Sequence, residues 1–359
     1  MDRIIGFIIF LSIFLSVYAA MHVYVFFRLS TFLNITRNIW FYIVIIALAL
    51  SYPEVSAVER SIGGRILGVT YGVVAAWVGV IFFALAAVAA YDLLRLFFKF
   101  NDKIGGLVVI LAVLLIVAYS IINAMLLNVK TIEVPVANLE SPLKVVQLSD
   151  IHLGTIHNGE YLARIVEKVN SLSPDMVLIT GDFVDGSGII TAQSVSPLNN
   201  LKAKTFFTTG NHEIYEGIDY VTKLFKTTKV EMLRNSVSQH KGVQIIGMDY
   251  PSNEFTTQKL SLDGIKINSS MPSILMYHPP VGLDVAAAHG ISLQLSGHTH
   301  RGQIMPFNLL TRLFYKYTYG LYNKDGTYLY VSPGTGTWGP PMRLGSRNEI
   351  TLINLVRAE

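Results

Sequence analysis

At 359 residues and a net charge of +4, the chain is long enough for one substantial core and something beyond it. Hydrophobic residues make up 52% and charged residues 14%, and the lysines and arginines form no run suited to a nucleic-acid backbone, so no specific nucleic-acid binding is expected. The absence of cysteine excludes thiolate nucleophiles, cysteine metal ligands and disulfides, without assigning a compartment.

Four apolar runs account for the composition: residues 4–27, about 39–55, about 67–93 and 105–127. A helix needs roughly 20 such residues to cross the hydrocarbon layer. The first, third and fourth runs reach that length, and Ser51, Pro53 and Glu54 shorten the second. Arg3 and Ala19-Ala20 give the first run the look of a secretory signal, but it continues through Phe27 and more spans follow, so it is read as a span. Four spans put both termini on one side of a multi-pass membrane protein. The first and third loops carry Arg28, Arg37, Arg95, Lys99 and Lys103; the opposite side carries Arg3, Arg60, Arg65, Lys130 and Lys144, interleaved with Glu54, Glu59 and Glu133. The tally is even, and the reading leans to cytoplasmic odd loops and an extracytoplasmic second domain in the cell membrane. Asp92 is almost the only charge inside the spans, which gives an ion path little support. The expected boundaries are a membrane domain over 1–129, a linker over 130–142 and a second domain over 143–359.

Past Leu139-Glu140-Ser141-Pro142, a turn, residues 143–148 form an apolar strand that runs straight into Asp150. The same grammar recurs at 176–180 before Gly181-Asp182, at 204–209 before Gly210-Asn211-His212, at 274–277 before His278, and at 291–296 before Gly297-His298. Between the first two strands, Leu162, Ile165, Val166, Val169 and Leu172 have helical spacing, and Pro174 ends the helix. A shorter helix is expected over 220–225, and further strands over 242–246, 258–267, 327–331 and 349–355. Strands alternating with helices imply an α/β domain whose strand ends bring distant residues together.

The polar turns at those ends hold the chemistry. A carboxylate and an imidazole at i and i+2, as in Asp150 and His152, can address one ion. Asp182 adds an anionic oxygen able to lie between two ions, Asn211 a neutral carbonyl oxygen, and His278, His298 and His300 nitrogens. Oxygen and nitrogen without sulfur suits Mn, Fe, Zn, Co or Ni. Two such ions held roughly 3.5–4 Å apart deprotonate and aim a bridging water and draw charge from phosphoryl oxygens, so displacement at phosphorus is the chemistry expected.

The region from about 143 to 356 resembles the calcineurin-like metallophosphoesterase superfamily, whose Asp-x-His, Gly-Asp, Gly-Asn-His, later His and Gly-His-x-His are all matched. Residues 297–304, beginning Gly297-His298-Thr299-His300-Arg301, and 334–341, with Trp338, resemble more narrowly its membrane-associated bacterial phosphoesterases. The resemblance implies a four-layer α-β-β-α sandwich after a four-helix transmembrane region. It implies one ion on Asp150, His152 and His300, another on Asn211, His278 and His298, and Asp182 bridging. His212 would face the phosphoryl group, and Glu213 and Asp185 would orient imidazoles or loop amides. Arg301, Arg343 and His157 are candidate substrate contacts.

Residues 304–322 mix Phe307, Leu309, Leu310, Leu313, Phe314 and several tyrosines with Arg312 and Lys316. Such a segment either rests in the headgroup region and guides a lipid-borne phosphate, or is a core-packed hairpin. The function expected is hydrolysis of a phosphate ester, a phosphodiester by preference and lipid-linked or cell-envelope in origin. The alternatives are a phosphomonoesterase acting on a small or lipid phosphate and a non-catalytic membrane receptor or scaffold that keeps the metal-binding fold.

Overall fold

The computed structural model describes residues 2–251 and 259–358. They divide into two compact units, residues 1–122 with 339–342, and residues 123–338 with 343–359.

The first unit holds α1 (Asp2–Leu33), α2 (Ile39–Ile62), α3 (Arg65–Leu94) and α4 (Asp102–Met125). Each is long and apolar enough to cross a membrane, α1 over Leu11–Leu33. Asn38 starts α2 by accepting from the Trp40 and Phe41 N–H groups at 3.1 and 3.2 Å. The helix then runs past Pro53 to Ile62, beyond the end near 55 expected from its apolar run. The Arg28 guanidinium donates to Asp92 at 2.8 Å from Nε, and the Tyr24 hydroxyl adds a bond of 2.7 Å, so these two charges neutralise one another.

The second unit opens with β1 (Leu127–Val136), β2 (Leu143–Leu148), α5 (Gly159–Ser171), β3 (Met176–Thr180), α6 (Ala192–Val195) and β4 (Lys204–Thr208). There follow α7 (Asn211–Glu216), α8 (Ile218–Phe225), β5 (Glu231–Met232), β6 (Ser236–His240), β7 (Val243–Gly247) and β8 (Ser273–Met276). It closes with α9 (Leu283–Ala288), β9 (Leu293–Ser296), α10 (Phe307–Phe314), β10 (Gly320–Lys324), β11 (Thr327–Val331) and β12 (Asn348–Arg357).

One sheet has the order β1-β12-β2-β3-β4-β5 and the other β10-β11-β9-β8-β7-β6. Strand alternation builds the layers. Val145, Leu178 and Phe206 point to a core shared with Ile245, Ile274 and Leu295 of the other sheet. Their neighbours Val146, Ile179 and Phe207 point the other way, against Leu162 and Ile165 of α5 and Leu224 and Phe225 of α8. Ile246 and Leu275 pack on Ala286 of α9. The expected four layers follow from these three cores. β2, β3 and β4 run parallel, as do β7, β8 and β9, so each sheet presents several carboxyl ends together.

Three expectations change. Residues 127–136, which straddle the expected linker, form β1 and pair along their whole length with β12. No strand forms over residues 259–267, and Gln258 lies outside the described residues. β7 already has β6 and β8 on its two sides, so Leu260 and Leu262 are buried from an unpaired segment instead. The segment 304–322 is no core-packed hairpin: it contains α10, none of whose residues is buried, and only its end enters β10.

The Phe207 ring stacks on Phe225 at 4.1 Å, and Phe183 meets Phe225 edge-on at 5.0 Å. Replacing Phe207 by Ala leaves a cavity the sheet cannot close, and a loss of about 3–5 kcal/mol in denaturant unfolding of the full chain is expected.

Candidate functional site

Five strands end in the polar turns marked out by the sequence. Asp150 and His152 follow β2, Asp182 follows β3, Asn211 and His212 open α7 after β4, His278 follows β8, and His298 and His300 follow β9. All are buried except His298, which is half-buried.

Their polar atoms meet. His152 Nε2 lies 3.0 Å from His300 Nε2, which lies 3.4 Å from Asp150 Oδ1. In a second group, His278 Nε2 is 3.1 Å from both Asp182 Oδ2 and His298 Nδ1. The carboxylates join the groups: Asp182 Oδ2 is 3.9 Å from His152 Nε2, and Asp150 Oδ1 is 4.0 Å from His278 Nε2. Asn211 Oδ1 is buried with no hydrogen-bond partner. Anionic oxygens, imidazole nitrogens and an orphaned amide oxygen, with no sulfur, form a donor set that fits divalent transition ions.

The backbone is bent to make this meeting. Asp150, His152, Asp182, His298 and His300 all have φ between 48° and 71°. A side chain in that left-handed region costs roughly 1–2 kcal/mol. Two glycines allow close approach: a Cβ on Gly210 would strike Asp182 Oδ1, and one on Gly297 would strike Asp150 Oδ2. The amides so admitted anchor the carboxylates, His298 N–H donating to Asp150 at 2.9 Å and His212 N–H to Asp182 at 3.0 Å. Glu213 ties the turns together. It accepts from the N–H groups of Asp182, Phe183, Val184 and Gly210 at 2.6–3.2 Å.

Each imidazole is also held from behind. His278 Nδ1–H donates to the Thr180 carbonyl at 2.8 Å, and His298 Nε2 pairs with the Tyr315 hydroxyl at 2.7 Å. His152 Nδ1 faces Asp185 Oδ1 at 3.4 Å. His212 Nδ1–H donates to the Asp185 carbonyl at 2.9 Å, and its ring meets His152 edge-on at 4.6 Å. Burial lowers His298 to about 3. Burial opposes charge at His278 too, but Asp182 beside it lifts that imidazole to about 9. Asp182 is itself held well below the usual carboxylate range, against its burial, by His278 and His212.

Two candidate substrate contacts are not at the reacting face. Arg343 is fully buried, its guanidinium donating to the carbonyls of His300 and Gly336 at 3.0 and 2.5 Å and to Asn348 Oδ1 at 2.8 Å. It braces the turn behind His300, with no face left for a phosphate. His157 is buried, stacks on Tyr161 at 4.2 Å and accepts from the Thr337 N–H at 2.9 Å. Burial drives it to about 3, so it is a neutral packing residue. Arg301 stands over the Tyr319 ring at 4.4 Å and lines a cavity next to α10. Tyr315 and Trp338, whose ring lies 6.2 Å from His212, stand in the two segments 304–322 and 334–341 that the sequence singled out without giving either residue a role.

The calcineurin-like phosphoesterase family model matches residues 143–302. A Campylobacter jejuni protein described as an uncharacterised metallophosphoesterase is 38% identical over 271 residues, covering 73% of this chain and 71% of the relative. A Helicobacter pylori metallophosphoesterase is 37% identical over 236 residues, 64% of each chain. A Bos taurus transmembrane protein with metallophosphoesterase domain is 37% identical over 257 residues, 64% of this chain and 57% of that one. The chain thus spans a little under two thirds of the Helicobacter relative.

Removing Glu213 strands four buried N–H groups, each a cost of about 1 kcal/mol or more. Glu213→Ala is expected to lower the thermal stability of chelator-treated protein by several degrees, whereas Lys168→Ala on the exposed side of α5 leaves it unchanged.

Proposed function

The chain belongs to the calcineurin-like metallophosphoesterase family, and we propose that it is a membrane-held, dinuclear metal-dependent phosphoesterase that prefers a phosphodiester of lipid or cell-envelope origin. The observation that carries this reading is the meeting of imidazole and carboxylate donors from five strand ends, beside an amide oxygen that is buried and unpartnered.

On this reading Asp150, His152 and His300 hold one ion, Asn211, His278 and His298 hold the other, and Asp182 serves both. Ions bound there supply Lewis acidity to the phosphoryl oxygens and a water acidic enough to attack phosphorus at neutral pH. Mn, Fe, Zn, Co and Ni all suit the donor set. The protein's own contribution is position. The hydrogen bond from Nδ1–H of His212 to the Asp185 carbonyl turns Nε2 towards the incoming ester. From there His212 stabilises the developing charge or passes a proton to the leaving alkoxide. Neighbouring Asp182 accepts from the His212 amide, so catalytic ring and shared carboxylate move as one piece.

Four helices long and apolar enough to span a membrane belong to the same chain, and this supports the reading of a lipid-borne ester. The loop charges are even on the two sides, and the extracytoplasmic orientation of the catalytic unit is part of this proposal.

With Mn²⁺ supplied, the purified full chain is expected to cleave a bis-aryl phosphodiester faster than the matching monoester. His212→Ala should lower kcat by about 100-fold or more with metal content unchanged. Loss of metal in that variant would reassign His212 to the ligands. A reporter fused after residue 359 should read as extracytoplasmic, and a cytoplasmic signal would reverse the orientation.

A further inference from the structure

Beside the histidine cluster lies a cavity of about 320 Å³ lined by Arg301, Asn308, Arg312, Tyr315, Lys316, Thr318, Tyr319 and Tyr322. It holds three cationic side chains and no carboxylate, and none of the three forms an ion pair among the described residues. Asp284, whose carboxyl Lys324 and more weakly Lys316 hold below the usual range, is engaged in an ion pair by Lys324. Isolated cations crowded around one cavity call for an anion.

The walls are built. Tyr319 accepts at its hydroxyl from Lys130 at 2.9 Å and donates to Glu349 at 3.1 Å, which fixes the ring beneath Arg301. The Thr299 hydroxyl donates to the Thr318 carbonyl at 2.7 Å and ties the cavity floor to the turn between His298 and His300. Tyr315 belongs to both places, lining the cavity while its hydroxyl holds His298.

The opposite face of the same helix is apolar. At about 100° per residue, Asn308, Arg312 and Tyr315 share one side of α10 and its end, and Phe307, Leu309, Leu310, Leu313 and Phe314 take the other. Those five side chains are exposed, Leu313 and Phe314 by 78% and 80%. A short helix with such a face, in a chain that also carries four helices long and apolar enough to cross a membrane, suits the interface of a bilayer. Anionic headgroups match the charge on its polar side.

We propose that α10 lies in the bilayer interface and that the cavity on its polar side binds an anionic lipid headgroup, distinct from the phosphoryl group over the histidines. The inference rests on the phosphoesterase reading only for its consequence: the ester hydrolysed is carried by an amphiphile with a second anionic group. Headgroup binding itself needs neither metal nor turnover.

The chain contains no cysteine, so single cysteines can report on it. Leu313→Cys and, as a control on exposed α5, Lys168→Cys are labelled with the fluorophore NBD in the full chain, in phosphatidylcholine nanodiscs with and without phosphatidylglycerol, after chelation of metal. Leu313→Cys is expected to show blue-shifted emission and quenching by nitroxide-labelled lipid, and phosphatidylglycerol to increase both. Adding Arg312→Glu and Lys316→Glu, both exposed side chains, should abolish the increase. Emission at position 313 as water-like as at 168 would overturn the proposal, and insertion indifferent to phosphatidylglycerol or to the charge reversals would overturn the headgroup site. A lipid response without hydrolysis of any ester would leave this inference standing and remove the phosphoesterase reading; hydrolysis without a lipid response would do the reverse.

Discussion

Two buried carboxylates, Asp150 and Asp182, and four imidazoles press their polar atoms to within 3.0–4.0 Å of one another, and this crowding governs the rest of the catalytic unit. Imidazole nitrogens that face each other at 3.0 Å compete for one proton, and buried carboxylates oppose each other's charge. Cations resolve both conflicts together, which is why the left-handed backbone of five of these residues reads as function and not as accident. The sheets supply the counterweight. Cores that bury Val146, Ile179, Phe207 and their neighbours hold the strand ends firmly enough to keep the turns strained.

Precision comes from the groups behind the histidines. Thr180, Tyr315, Arg343 and Asp185 each engage the nitrogen of an imidazole that does not face the cluster, and Glu213 gathers the amides of two turns. A site fixed in this way loses little on ordering when a ligand arrives. Tyr315 extends the same logic outwards, since the residue that sets His298 is also a wall of the basic cavity beside α10.

Much of this was legible in the chain because each candidate ligand stands directly after an apolar strand, where a local pattern and a local consequence coincide. Glu213 could be read as a supporting group from its place beside Asn211 and His212. Arg343 and His157 were misread for a shared reason: nothing in their neighbourhood reports that Asn348, Gly336 and Thr337 consume their polar atoms. β1 was hidden because its partner lies more than 200 residues away, at β12. Residues 259–267 carry strand-like alternation, but the sheet has no free edge beside β7 to receive them. The segment 304–322 offered aromatic and basic residues without saying which face they shared, and helical geometry in α10 separates them.

The most direct test is the number of ions the folded chain holds. Equilibrium titration of chelator-treated full chain with Mn²⁺ or Zn²⁺, read by elemental analysis after desalting, should saturate at two per chain, and Asp182→Asn should weaken both. Saturation at one ion or none in folded protein would contradict the account.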